Sequence, residues 1–340
     1  MKICILGATG LVGDELLTLI DRAWPGAELI LFASRARTIE RHGKTYDVRT
    51  ATSLEDADAP KGDLAFVALD DDHSKRYVPR LLELGWRVID KSNTYRMDPE
   101  VVLGVAGVNH DLVTDEVRLV ANPNCTTIPF TLATQPLLKR WGLESATVSS
   151  YQAISGAGAG TLDEFLAKSK AGYAEANRIG NNFDAAGYAG NCVPHNGKTD
   201  ESGFSSEERK LMNESRKILR APDCLVSAQC CRVPVAVGHY ENAWITLADA
   251  PDPSELARAW EGAPFVRYLP GAAGEGLSAL ATVHDRDNTL VGRLRKDARD
   301  PSGRSWCLTV AADNLRLGAA TNAVRLASCW FGGEDAALRV

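Results

Sequence analysis

Cys125 follows Asn122-Pro123-Asn124 and precedes Thr126-Thr127. The apolar, β-prone run 117–121 ends just before this turn, and residues 126–139 are apolar at helical spacing. A cysteine placed where a strand gives way to a helix meets unpaired backbone N–H groups and the positive end of the helix dipole, and both favour the thiolate. That is the setting of a nucleophile, at the carboxyl end of a strand, where open α/β sheets bind their ligands. Other side chains able to do chemistry are spread along the chain. Arg96 lies in a polar loop suited to an anion, and Gln152 ends the β-prone run 146–152 before the glycine-rich stretch 155–160. Glu207, Lys210 and Glu214 share one helical face, a spacing that equally suits a solvated surface. Arg232 lies in the strand-like run 225–235, with His239 seven residues further on.

These residues need a scaffold, and the N-terminus supplies the clearest part of one. The short apolar strand 2–6 runs into Gly7-Ala8-Thr9-Gly10-Leu11-Val12-Gly13, which opens a helix through about residue 21. In a G-x-x-G-x-x-G turn the first two glycines let the backbone approach a pyrophosphate, and the third lets the helix pack on the strand. The second strand, 28–33, ends in Ser34-Arg35-Ala36-Arg37-Thr38. A Rossmann fold meets the adenosine ribose there. Two arginines and no acid before Glu40 suit the 2′-phosphate of NADP better than the 2′-hydroxyl of NAD.

Further strands at 64–69 and 87–90 flank a helix at 74–84, so the βαβ alternation predicts a parallel, doubly wound sheet. Beyond Cys125 come a helix at 161–171, a polar stretch at 177–203 that keeps Phe183, Tyr188 and Val193 to bury, and the capping box Ser205-x-x-Glu208 opening a helix at 206–219. The last third holds a helix at 253–260, a strand at 305–312, and a segment from Asp313 opening a final helix. The predicted class is α/β: an N-terminal Rossmann-type doubly wound parallel sheet over 1–124, completed by 314–340, with an α+β catalytic and dimerisation domain over 125–313. A net charge of −6 with no basic run argues against nucleic acid, and no apolar run reaches the ~18 residues of a membrane span. Eight cysteines with no C-x-x-C pair point to a reducing cytoplasm and to no metal.

Taken together, the motifs resemble the aspartate-semialdehyde dehydrogenase family almost end to end. They are the glycine turn, Asn122-Pro-Asn-Cys125, Gln152-Ala-Ile-Ser-Gly-Ala-Gly158, Glu207-Glu208-x-Lys210, Arg232-Val-Pro-Val-x-x-Gly-His239 and Asp313-Asn-Leu-Arg-x-Gly-Ala-Ala320. The resemblance implies Cys125 as acyl-forming nucleophile, His239 as acid/base, and Gln152 orienting the thiohemiacetal. It implies Arg232 and Glu207 on the substrate's carboxylate and amino group, Arg96 and Lys210 at the phosphate, and Asn124 beside the substrate. For NADP it implies Gly7, Thr9, Gly10, Leu11, Val12, Gly13, Ser34, Arg35, Arg37 and Asn314. The expected reaction is NADPH-dependent reduction of L-aspartyl 4-phosphate to the semialdehyde and phosphate, in lysine, methionine and threonine biosynthesis, by a homodimer or dimer of dimers. Departures at Thr94-Tyr95, Ala106-Gly107 and Thr126 leave open a paralogue reducing a related acyl phosphate or thioester.

Overall fold

The computed structural model describes residues 1–170, 187–194, 198–271 and 274–332. Much of the 177–203 stretch, Phe183 included, therefore lies outside the described residues. Two compact units result, Met1–Asn124 with Ala319–Val340, and Cys125–Gly318.

The first unit carries an eight-stranded sheet. Its strands are β1 (Lys2–Leu6), β2 (Glu28–Ala33), β3 (Arg37–Arg41), β4 (Lys44–Thr50), β5 (Leu64–Val67), β6 (Arg87–Asp90), β7 (Val102–Leu103) and β8 (Leu119–Ala121), in the order β3-β4-β2-β1-β5-β6-β8-β7. Pairing is parallel except between β3 and β4. Helix α1 (Leu11–Ala23) follows β1, and α2 (Asp71–Glu83) joins β5 to β6. Strand β5 is buried along its whole length and β1 and β6 are buried beyond their first residue, as expected of a parallel sheet covered on both faces. Cys4, Leu6, Phe32, Val67, Tyr77 and Trp86 belong to one core cluster here.

Two local expectations need correction in this unit. Helix α2 starts three residues earlier than its apolar spacing predicts, because the Asp70 carboxylate accepts the His73 N–H and caps it. The segment after the second strand is no open loop from Arg37 onward: β3 and β4 form a hairpin turned by His42 and Gly43, both at positive φ, the geometry a tight two-residue turn requires. The Arg41 guanidinium on Asp14, at 2.9 Å, and His42 on Thr18, at 3.0 Å, tie that hairpin to α1.

The second unit begins with α3 (Thr127–Trp141) and carries the sheet β10-β11-β9-β12-β15-β14-β13, built from β9 (Ser145–Gln152), β10 (Val193–Pro194), β11 (Leu225–Arg232), β12 (His239–Thr246), β13 (Val266–Leu269), β14 (Thr289–Lys296) and β15 (Ser305–Ala312). Helices α4 (Ala159–Lys170), α5 (Ser206–Ile218) and α6 (Pro253–Ala257) complete it. Strict alternation of buried and half-exposed residues along β9, β11 and β12 gives the sheet one covered face and one open face. Helices α3 and α5 cover the first, and Tyr151, Tyr240, Trp244 and the exposed Leu225 lie on the other.

The final helix, α7 (Asn322–Gly332), belongs to the first unit and starts nine residues after Asp313, not at it. A π-type turn, Arg316–Thr321, fills part of that interval. Asn322 at the start of α7 donates to Gly104 O and Asn122 Oδ1 and accepts from the Ala106 N–H, which fastens the helix to the loops behind β7 and β8. No helix among the described residues is long and apolar enough to cross a membrane.

Candidate active site

Cys125 sits two residues before α3, whose N-cap residue Thr126 makes no side-chain cap hydrogen bond, so the helix presents its amino end beside the cysteine. The thiol is partly buried, and its Sγ lies 3.2 Å from His239 Nε2. The other ring nitrogen of His239, Nδ1, is 3.1 Å from the Ala153 backbone nitrogen. A backbone N–H can only donate. Nδ1 therefore holds the lone pair, and the proton of the neutral ring lies on Nε2, aimed at the sulfur.

Strand register explains why these residues meet. Arg232 on β11 pairs with Gln152 on β9, and His239 on β12 pairs with Ala312 on β15. Continuing the β12–β9 register one step past its last pair, Tyr240↔Tyr151, sets His239 beside Gln152. Arg232, Gln152 and His239 thus form one row across three neighbouring strands, all on the covered face and each at most 5% exposed. Arg232 donates through Nη1 to Ala153 O at 2.7 Å, and Gln152 donates through Nε2 to Ser150 Oγ at 3.2 Å. Residues far apart in sequence converge because the sheet aligns the ends of their strands.

Two close approaches that the sequence did not single out complete the pocket wall. A Cβ built on Gly156 would stand 2.8 Å from Arg232 Nη1 and 3.5 Å from His239 Cε1, so only glycine fits there without displacing the guanidinium. A Cβ on Gly318, within the π-type turn, would stand 3.0 Å from Cys125 Cβ. Widened turns of this kind recur at functional sites.

Asn314 accepts the Gly238 N–H through Oδ1 at 2.9 Å and donates through Nδ2 to Ser155 Oγ at 2.9 Å. Both ends of its amide are engaged in holding the segment before His239 against the segment after Gln152. Its observed contacts are those of a brace for the catalytic row.

On α5, Glu207 is buried and its Oε2 takes a 3.0 Å ion pair from Lys210 Nζ, which is 22% exposed. The capping box forms as expected, and Glu208 does more than cap: Oε2 accepts the Ser205 N–H while Oε1 accepts the Cys230 N–H of β11. That second bond fixes α5, and Glu207 with it, against the strand that ends in Arg232.

In the first unit, Asn124 is buried directly ahead of Cys125. Arg96 is 6% exposed, not a solvated loop residue, and donates through Nη2 to Lys91 O at 2.6 Å. The glycine turn fits a dinucleotide. Gly7 has φ +85°, and a Cβ there would come within 2.5 Å of Ala68 O; a Cβ on Gly13 would collide with Gly7 O. Thr9, Leu11 and Val12 are half-buried around the start of α1, and Gly10, its N-cap, has no side chain to occupy the helix end. That end is therefore open to a phosphate. A small cleft lined by Val12, Ala68, Lys91, Asn122 and Ala319 adjoins the carboxyl ends of the central strands. Ser34, Arg35 and Arg37 are all exposed just past β2.

Comparison with known proteins agrees along the whole chain. Residues 2–115 match the profile "Semialdehyde dehydrogenase, NAD binding domain", and residues 134–317 match "Semialdehyde dehydrogenase, dimerisation domain". The chain is 35% identical over 336 residues to the aspartate-semialdehyde dehydrogenase of Aquifex aeolicus, covering 96% of each chain. It is 33% identical to aspartate-semialdehyde dehydrogenase 2 of Vibrio cholerae, again with 96% of each covered. The crystal structure of aspartate semialdehyde dehydrogenase II from Vibrio cholerae complexed with ASA superposes with a TM-score of 0.85 at 32% identity, covering 96% of each chain. With a cysteine–imidazole contact beside a strand-end row, and relatives of this identity over nearly its full length, the chain belongs to the aspartate-semialdehyde dehydrogenase family.

Proposed function

We propose that the protein reduces L-aspartyl 4-phosphate to L-aspartate 4-semialdehyde and phosphate, with NADPH as reductant. The observation that carries this is the 3.2 Å Cys125–His239 contact beside Arg232 and Gln152. The Cys125 thiolate attacks the acyl carbon, the C–O bond to phosphate breaks, and phosphate leaves with its electron pair, giving a thioester on Sγ. When bound, NADPH supplies the hydride that reduces the thioester carbon. The tetrahedral oxyanion then expels the Cys125 thiolate as the aldehyde forms.

None of these steps after thiolate formation requires a net proton transfer. In place of the acid/base role that the family resemblance implies, the Nε2–H of His239, fixed by the Ala153 N–H on Nδ1, is a donor that stabilises the thiolate before attack and the oxyanion during collapse, and a Gln152 N–H supplies a second donor. Arg232 offers a planar fork to the substrate carboxylate, and Glu207 accepts from its ammonium group. Lys210, the ion-pair partner of Glu207, and Arg96 are each assigned to the phosphate, and Asn124 to the substrate. Gly7, Gly10 and Gly13, with Thr9, Leu11 and Val12, are assigned to the pyrophosphate, and Ser34, Arg35 and Arg37 to the NADP 2′-phosphate. Asn314 is assigned to NADP.

The open face of the second sheet, where Tyr151 and Tyr240 stack edge to face at 6.0 Å, is assigned as the homodimer surface. The biosynthesis of lysine, methionine and threonine is the assigned setting. The test is NADP⁺ reduction by purified protein with aspartate semialdehyde, run with and without inorganic phosphate and against related aldehydes. Phosphate-dependent turnover strongest with aspartate semialdehyde is expected; faster turnover of another aldehyde contradicts the assignment.

A further inference from the structure

One register step behind the catalytic row lies a second row on the same covered face: Cys230 on β11, Ser150 on β9 and Glu241 on β12. Glu241 is 1% exposed, and neither of its carboxyl oxygens has a hydrogen-bond partner. Burial pushes its carboxyl well above the usual carboxylate range. Beside it, Glu207, Glu208 and Glu241 all act to raise the Cys230 thiol, and burial is the cause that raises Glu241 itself. A carboxyl held protonated in this way has a proton to donate.

The complementary deficiency lies on the neighbouring strand. Gln152 is fully buried, its Nε2 donates one hydrogen to Ser150 Oγ, and its Oε1 has no partner. Because Glu241 is opposite Ser150, Gln152 is its diagonal neighbour on the same face, a separation that two long side chains span. Each group supplies what the other lacks.

We propose that Glu241 is a positioning residue for Gln152: its carboxyl donates a hydrogen bond to Gln152 Oε1 and so holds the amide with its remaining Nε2 hydrogen toward the substrate oxygen. This rests on the reading that Gln152 faces the substrate. A glutamine at 241 keeps a donor of the same shape. A leucine keeps the volume, removes the donor and leaves the buried Gln152 Oε1 without its partner, so the amide loses its fixed orientation. A purely structural glutamate would leave kcat of the folded variant unchanged; the positioning role lowers it with leucine and restores it with glutamine.

The experiment compares the unaltered protein with Glu241→Gln and Glu241→Leu in kcat, in KM for NADP⁺, in thermal midpoint, and by infrared difference spectroscopy for a protonated carboxyl. Glu241→Gln should keep kcat within about threefold. Glu241→Leu should lower kcat roughly tenfold, the scale of one lost hydrogen bond, with KM for NADP⁺ unchanged, both read below its thermal midpoint where the variant is fully folded. A protonated-carboxyl band should be present in the unaltered protein and absent from Glu241→Gln. Unchanged kcat in Glu241→Leu, equal impairment of both variants, or no such band would each overturn the proposal. Absence of turnover in the unaltered protein would instead contradict the assigned reaction, since the band and the midpoints are read without substrate.

Discussion

His239 points Nε2 at Cys125 Sγ from 3.2 Å while its Nδ1 takes the Ala153 N–H. The ring is thereby fixed in both orientation and tautomer, and the sulfur has a dedicated donor. Cys125→Ala removes the covalent step and should lower kcat by roughly 10⁴-fold or more, with NADPH binding retained. Steady-state rates and cofactor titration check both halves.

The same contact makes a prediction about labelling. Burial pushes the Cys230 thiol up to about 12 and raises the Cys4 and Cys231 thiols. At pH 7 the Cys230 thiolate fraction is on the order of 10⁻⁵, too small to compete for iodoacetamide. Inactivation should therefore track carboxamidomethylation of Cys125 by peptide mass mapping. Modification of the exposed Cys192 should leave activity intact. Inactivation that tracks Cys230 or Cys231 would show that the nucleophile lies elsewhere.

Arg232 is held by Ala153 O and walled in by Gly156, so its fork is positioned before substrate arrives. Arg232→Lys keeps the charge and loses the fork, and should lower kcat/KM at least ~10-fold, on the order of 1.4 kcal/mol. Gly156→Ala leaves every functional group in place but displaces the guanidinium. Its expected loss is about 10- to 100-fold with the fold retained by circular dichroism. An unimpaired Gly156→Ala enzyme would mean that the guanidinium needs no such wall.

Much of this site was legible because its signals are local. The glycine turn, the Asn-Pro-Asn-Cys125 junction and the capping box at Ser205 each depend on neighbours within a few residues, and each forms where its spacing indicates. The hairpin of β3 and β4 escaped because both strands are largely exposed, leaving no apolar alternation to read; its one local signal was the His42-Gly43 pair. Gly156, Gly318 and Glu241 escaped for a different reason. What each touches is set by strand register and turn geometry linking distant segments, which composition and periodicity do not encode.

Cofactor choice follows from the end of β2. Arg35 and Arg37 are exposed there, and no carboxylate precedes Glu40 to accept from a ribose 2′-hydroxyl. NADP should be preferred to NAD, and Arg37→Ala should weaken NADP binding by about 1.5 to 3 kcal/mol, or 10- to 150-fold, with a smaller effect from Arg35→Ala. Equal kinetics with the two cofactors would contradict this.

Glu241 also leaves a pH signature on stability. An unfolded glutamate ionises near pH ~4.3, whereas the buried carboxyl stays protonated to well above that. From about 4.3 upward the folded chain binds more protons than the unfolded one, so this group's contribution to stability falls as pH rises toward its folded value. Glu241→Gln abolishes the difference. Its thermal midpoint relative to the unaltered protein should be higher at pH 8 than at pH 5; a gap independent of pH would mean that Glu241 is ionised in the fold.

The account stands on an acyl group carried by Cys125 and released by phosphate. Incubating the protein with aspartate semialdehyde and NADP⁺ in phosphate-free buffer, followed by acid quench, intact mass and peptide mapping, observes that intermediate directly. One aspartyl thioester on Cys125 that disappears when phosphate is added is the expected result. An adduct on any other residue, or sustained turnover indifferent to phosphate, would contradict the account.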